Sequence, residues 1–333
     1  MLKFPVRNRS RKRDSLHSLM RWIAGLSALL VIPFPFAQPA VSAQKQPPTA
    51  QQEGQPVTMT VTVTNGRDEL VSALTKEDFV VLSDKTPQKI TYFSAEDSPA
   101  SIGILFDASL SMNFRSSDTA KIEGYKDALR QFFKRNNPSN EYFLIGFNQQ
   151  PQLLMDWTSD TGAILDRFSV ARFKGKTAFF DACYLGIEKV SHGKYDKHAI
   201  ILISDGQDNE SSYSRGQVSS LLRQLNVLVY SINLSEDNAG SSLADEGQNI
   251  LNELSRLSGG MTFYRNENRR LPSDALSSIF ALIADQLHHQ YIIGFISSTK
   301  PTKDQWHRIR VEVRGDPADQ RLRGLTIRSR ESF

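Results

Sequence analysis

The sequence predicts an α/β protein: a doubly wound, mostly parallel sheet, inserted in or flanked by a small β-sandwich made from N- and C-terminal strands. Three observations predict it. Runs such as Ile102-Gly103-Ile104-Leu105-Phe106 and Ala199-Ile200-Ile201-Leu202-Ile203 are too uniformly apolar for half-exposed strands and suit a sheet covered on both faces. Amphipathic helical stripes alternate with these runs, which is the pattern of βαβ units. Strict period-two alternation then appears on either side of that stretch, at Val57, Met59, Val61 and Val63 and again over Ile309-Arg310-Val311-Glu312-Val313-Arg314.

The first 43 residues read as a secretory signal. A basic segment precedes an apolar stretch from Trp22 to Phe36, and small residues at Val41-Ser42-Ala43 place cleavage after Ala43. Pro33 and Pro35 interrupt a run already short for a spanning helix, so a membrane role requires that the leader stay uncleaved. Residues 44–55 are polar and Pro-containing and read as a flexible linker. The leader also explains the charge. Removing the seven Lys/Arg and the single Asp of residues 1–43 from totals of 40 and 36 leaves 33 basic against 35 acidic residues. A near-neutral remainder removes the main support for nucleic-acid binding.

Residues 56–98 form a β segment. The alternating Val57–Val63 run ends at Asn65-Gly66, a hairpin signal, and Phe79–Leu82 and Lys89–Phe93 are two more strands. Residues 99–288 carry the α/β pattern. Strand Ile102–Phe106 is followed by a helix striped by Ile122, Tyr125, Leu129 and Phe132, then by strand Tyr142–Phe147 and a short strand at Leu153–Met155. A helix over Asp181–Val190 leads to strand Ala199–Ser204. Helices near Val218–Leu225 and Ile250–Leu257, strand Val227–Ile232 and a short strand near Thr262 follow. The last helix is marked by Leu276, Ile279, Ile283 and Leu287, with Ser273 as its N-cap. Residues 289–333 return to strands at Tyr291–Phe295, Ile309–Arg314 and Leu325–Ile327. Two β segments of about 35 to 45 residues are each near the lower limit for an independent core. They are therefore expected to pair into one sandwich with the α/β domain inserted between them.

The strand ending at Phe106 delivers Asp107-Ala108-Ser109-Leu110-Ser111, an acid and two hydroxyls at alternate positions. Hard oxygen donors suit Mg²⁺, with Mn²⁺ or Ca²⁺ as alternatives, and the carboxyl ends of parallel strands are where open α/β folds bind ligands.

This segment, together with Thr177 in Gly175-Lys176-Thr177-Ala178-Phe179-Phe180-Asp181-Ala182 and Asp205 after the strand ending at Ser204, resembles the von Willebrand factor A (VWA) domain family. The motifs span about Ala100 to Leu287. The resemblance implies a metal-ion-dependent adhesion site (MIDAS) in which Ser109 and Ser111 bind the cation directly, Thr177 directly or through water, and Asp107 and Asp205 mainly through water. An acidic group of a protein partner would then fill the remaining position. Two carboxylates held at one remove leave the cation electrophilic, which serves recognition more than catalysis. The whole layout also resembles exported A-domain-related proteins frequent in Acidobacteria, which supplies an architecture and no activity.

The expected function is thus an exported, non-enzymatic protein, periplasmic, envelope-bound or extracellular, that takes a partner's Asp or Glu through a divalent cation. Two alternatives stay open: a scaffold whose metal only fixes loops while the sandwich binds, and a metal-assisted hydrolase. The latter lacks an evident nucleophile or general base. Gly175-Lys176-Thr177 imitates the end of a P-loop, but the first glycine of that pattern would fall on Val170, so no nucleotide is expected. Cys183, the lone cysteine, sits at helical spacing with Ile187 and Val190 and reads as packing. His288-His289 reads as helix-end capping, Asp208 and Glu210 as a solvated loop or a negative rim, and Phe114 and Arg115 as partner contacts by position.

Overall fold

The computed structural model describes residues 54–109, 119–169, 175–233, 242–264, 275–297, 306–314, 322 and 324–333. The leader, most of the linker, Ser111, Phe114, Arg115 and the Ser273 cap lie outside the described residues. Among the described residues no helix is long and apolar enough to cross a membrane.

The centre is a six-stranded sheet. In chain order its strands are β5 (Ala100–Asp107), β6 (Glu141–Phe147), β7 (Pro151–Thr158), β8 (Lys197–Ile203), β9 (Val227–Asn233) and β10 (Met261–Tyr264), and their spatial order is β10-β9-β8-β5-β6-β7. All pairings are parallel except that of β7, an antiparallel edge strand. From β5 the chain moves to β6 on one side and later returns to β8 on the other. The order therefore reverses between β5 and β8, and that switch point leaves a crevice at the carboxyl ends of the two strands.

Both faces are covered, as the apolar runs require. Ile102, Ile104 and Phe106 of β5 pack with α1 (Thr119–Arg135), α2 (Thr161–Ser169) and α6 (Ala275–His288). Leu105 faces α3 (Phe179–Ser191), α4 (Arg215–Gln224) and α5 (Ser242–Ser258) on the other side. A Cβ on Gly103 would sit 2.3 Å from the Phe143 ring, and one on Gly186 2.7 Å from Leu105, so both glycines make room for larger neighbours. Gly124, exposed within α1, is the opposite case, with nothing within 4 Å of an added Cβ. Gly124→Ala is expected to stabilise the protein by about 1 kcal/mol through helix propensity and a less flexible unfolded chain, read by urea denaturation.

The flanking strands form two antiparallel sheets. One has the order β13 (Thr326–Arg328), β1 (Gln55–Thr64), β11 (Tyr291–Ser297), β4 (Ile90–Ser94); the other β12 (Ile309–Val313), β2 (Phe79–Ser83), β3 (Thr86–Gln88). β1 pairs with β11 from Gln55↔Ser297 to Val61↔Tyr291, and β2 with β12 from Phe79↔Val313 to Ser83↔Ile309. Strands from before and after the α/β stretch thus lie side by side. Val57, Met59, Val61, Val63, Phe79, Val81, Ile293, Phe295 and Ile309 share one core.

Two local expectations need correction, the hairpin and the list of elements. Asn65-Gly66 does not close a two-residue hairpin. Asn65 Oδ1 accepts from the N–H groups of Arg67 and Glu69, Asp68 takes the left-handed conformation at φ 61°, and only an isolated bridge, Thr64↔Leu70, follows. The side-chain acceptor organises a wider turn than the dipeptide signal implies. The polar face of β1 is buried as well: Thr60, Thr62 and Thr64 are 3%, 1% and 3% exposed, because this face rests against the α/β domain, where Thr60 N–H donates to Asn226 Oδ1 at 3.3 Å. Helix α2 and strand β3 were not foreseen, and β7 is longer than the short strand expected.

The two chain crossings between sandwich and α/β domain are tied together. Lys197, 2% exposed, donates from Nζ to Leu287 O at 2.9 Å and lies 3.7 Å from the Asp97 carboxylate. Asp97 also pairs with His288 Nδ1 at 2.7 Å, while His289 Nδ1 lies 2.8 Å from Asp285 O. His289 thus caps the last turn of α6 as its position implied, whereas the His288 ring turns away from that helix to meet Asp97 and Arg135 O.

Candidate metal centre

Asp107 ends β5 fully buried, at 0% exposure. Its Oδ1 accepts from the Ser109 backbone N–H at 2.9 Å, and its Oδ2 accepts from the Ser204 hydroxyl at 2.6 Å. Ser204 Oγ in turn accepts from Gly206 N–H at 3.1 Å. Across the switch point stands Asp205, 3% exposed, with Oδ1 accepting from Gln207 N–H at 3.0 Å. Burial pushes the Asp107 carboxyl up to about 7. Hydrogen bonds from Ser109 and Ser204 pull the other way, and the charge of nearby Asp205 adds to the rise.

The loop bearing Thr177 is held against the same region. Thr177 is 3% exposed; its N–H donates to Asn209 Oδ1 at 2.8 Å, and its carbonyl accepts from Asn209 N–H at 3.0 Å and Glu210 N–H at 3.2 Å. Ala178 N–H donates to Asn148 O at 2.6 Å, and Ala108 N–H to Phe147 O at 2.7 Å, so the segments after β5, β6 and β8 are joined by main-chain bonds. Asp208 Oδ1 accepts from Phe179 N–H at 2.9 Å and caps α3, a role Ala178 at the N-cap cannot fill. Asp181 Oδ1 returns the favour, accepting from Ser212 and Tyr213 N–H at 2.8 and 2.7 Å. Glu210 pairs with Lys176 at 2.7 Å. Asp208 is therefore an internal staple, neither a solvated loop residue nor a free rim charge.

The structure brings Asp107, Ser109 and Asp205 together and places Thr177 in the adjoining loop; Ser111 lies outside the described residues. Sequence reading missed Ser204, Asp181 and Asn209, and weighed Asp208 only as a solvated loop residue or a negative rim. Ser204 had one available signal, a hydroxyl ending a fully buried strand beside the expected Asp205.

A divalent cation fits this donor set. Two buried carboxylates face one region, and among the described residues no Lys or Arg pairs with either. Such a pair calls for a proton or a cation to offset its charge. No group of three or more His, Cys, Asp or Glu that could hold a metal occurs among the described residues, so hydroxyl oxygens would have to complete the shell. Asp107, Ser109, Thr177 and Asp205 are the described side chains that would hold the ion, and the ion would supply an electrophilic position for an anionic group.

Beneath the site lies Cys183, 2% exposed, its thiol pushed well up by burial and by the charges of Asp208 and Asp107. It is expected to resist a disulfide-exchange reagent at mildly alkaline pH in the folded protein and to react stoichiometrically in concentrated guanidinium. Rapid labelling of the native protein would contradict that placement.

A doubly wound sheet with an oxygen-donor site at its switch point defines the class. Residues 102–207 match the family model described as von Willebrand factor type A domain, and the chain carries a domain of that family. No curated protein matches the chain. Similar solved structures include the conserved hypothetical protein BatB from Bacteroides thetaiotaomicron, at 15% identity over 56% of this chain and 98% of that one, TM-score 0.43. The SpRpn10 VWA domain is similar at 17% identity over 55% and 94%, TM-score 0.40. Proximal thread matrix protein 1 from the mussel byssus, described with a zinc-occupied MIDAS motif, is similar at 17% identity over 63% and 50%, TM-score 0.44.

Proposed function

We propose that this is an exported, non-enzymatic recognition protein. Its VWA domain holds Mg²⁺ among Asp107, Ser109, Ser111, Thr177 and Asp205, and the cation takes an Asp or Glu side chain of a protein partner. The observation that carries this reading is the pair of buried carboxylates, Asp107 and Asp205, converging at the switch point without a described basic partner. The leader, with its basic, apolar and small-residue parts, supports export.

The staples also bear on the scaffold alternative. Asp208, Asp181 and Asn209 already fasten the loops of the site to one another. A metal is not required to fix those loops, which leaves its open position free for a partner.

Mg²⁺ or Mn²⁺ is expected to raise the unfolding temperature and a chelator to reverse it; at a hundredfold excess over Kd, linkage gives about 2.7 kcal/mol. Asp205→Ala is expected to lose that response. Capture of envelope proteins in Mg²⁺ but not in chelator, lost in Asp205→Ala, tests the partner half. Melting indifferent to metal, or capture equal in chelator, would overturn the reading.

A further inference from the structure

At the opposite end of the central strands from Asp107 and Asp205, a cleft of about 1050 Å³ opens between the outer face of the β1-β11-β4 sheet and the amino ends of β8 and β9. Thr58, Tyr92 and Ile292 line one side, His198 the other, and Trp306 and Arg330 the C-terminal wall. Clefts between two packed units are favoured places for small ligands.

The charge in this cleft is unusual. Arg330 is 5% exposed, yet its Nε donates to Ser332 O at 2.9 Å and its Nη2 to Arg223 O, both neutral carbonyls. Arg223 itself lies over the Trp306 ring, 6.0 Å from the centroid. Among the described residues no carboxylate forms an ion pair with Arg330 or with Arg223. Asp196, the acid lining this cleft, is exposed. Burial alone pulls the Arg330 guanidinium down to about 10, which is the signature of a cation lacking compensation. His198 contributes a second polar atom, Nε2, that is buried without a hydrogen-bond partner.

We propose that this cleft is a second binding site, for a small organic carboxylate with an aromatic or apolar body. The carboxylate pairs with Arg330, and the body lies against Trp306, Tyr92 and Ile292. Arginine's planar fork leaves three of its five N–H donors after the two carbonyl bonds, enough for a carboxylate. A neutral ligand would bury the same aromatic surface and leave the cation uncompensated.

Benzoate and benzyl alcohol, titrated into the metal-free full chain and followed by ligand-observed NMR, separate these cases. Benzoate is expected to bind saturably and roughly tenfold more tightly than the alcohol, the increment of one charge-assisted pair. Arg330→Gln is expected to erase that preference. Thr58→Trp, at an exposed position on β1, is expected to fill the cleft and abolish both signals, while Gly124→Ala, exposed on α1, leaves both unchanged. Since Arg330→Gln risks unfolding, Thr58→Trp and the comparison of the two ligands on the unaltered chain decide the matter by themselves. Benzoate no tighter than benzyl alcohol, or binding unchanged in Thr58→Trp, would overturn the proposal.

Discussion

Asp107→Asn is expected to raise the stability of the metal-free protein at neutral pH and, in the same variant, to erase the response to Mg²⁺. Few substitutions at a binding site should move two readouts in opposite directions. The carboxylate is fully buried and repelled by Asp205, so its ionised form is costly until a cation arrives. Asn keeps both local bonds. Its carbonyl can accept from Ser109 N–H, and its amide can donate to Ser204 Oγ, which already accepts from Gly206 N–H.

The pH dependence follows with a definite sign. This carboxyl titrates near 3.8 in the unfolded chain and about 7 in the folded one, so the folded state holds the proton more tightly between those values. Its contribution is fully present below about 3.8 and is lost as pH rises through about 7, by on the order of a few kcal/mol. Wild type and Asp107→Asn should melt alike near the acid end of that window, with the variant pulling ahead toward neutrality. Added Mg²⁺ should reverse the order by stabilising wild type alone. Parallel melting curves at every pH, with Mg²⁺ still stabilising the variant, would refute this account of the site.

Gly247→Val is expected to cost about 3 kcal/mol and to weaken the metal response with it. A Cβ at Gly247 would lie 2.3 Å from Asp205 O, and a Cβ at Gly206, whose φ is +78°, would lie 2.4 Å from Gly247 O. Two glycine backbones thus rest on each other at the point where α5 meets the Asp205 loop. The obstructing atoms are main chain and cannot swing aside as a side-chain tip would. Relief requires moving either the helix or the loop that carries Asp205. Denaturation curves with and without Mn²⁺ read both effects, and the Gly124→Ala variant controls for helix propensity. Wild-type stability and metal response in Gly247→Val would show that the contact is looser than these distances imply.

Central strands were readable where local pattern and burial coincide. β5, β6, β8 and β9 are continuous apolar runs because both faces are covered, and α1, α3 and α6 carry stripes that match the faces they bury. β7 was shortened because an edge strand with partly exposed residues has no clean period. The nine-residue α2 was passed over because so short a stripe, Ile164, Leu165 and Phe168, resembles an ordinary loop with apolar contacts. The alternation of β1 carries no sign of what its threonine face meets.

At the site the division is similar. Asp107 and Asp205 stand out because an acid directly after a buried strand is locally conspicuous, whereas Asp208 and Asp181 look like ordinary loop and helix acids until the N–H groups that donate to them are seen.

The sequence by itself determined the elements, their alternation and which acids end buried strands, because side-chain burial imprints its period on neighbouring residues. Only the tertiary structure decided that Ser204 bonds Asp107 across 97 residues, that Asp208 caps α3, and that Arg330 is buried at a cleft without an acid partner among the described residues. Contacts between side chains far apart in the chain are set by how layers pack, and no local period records them.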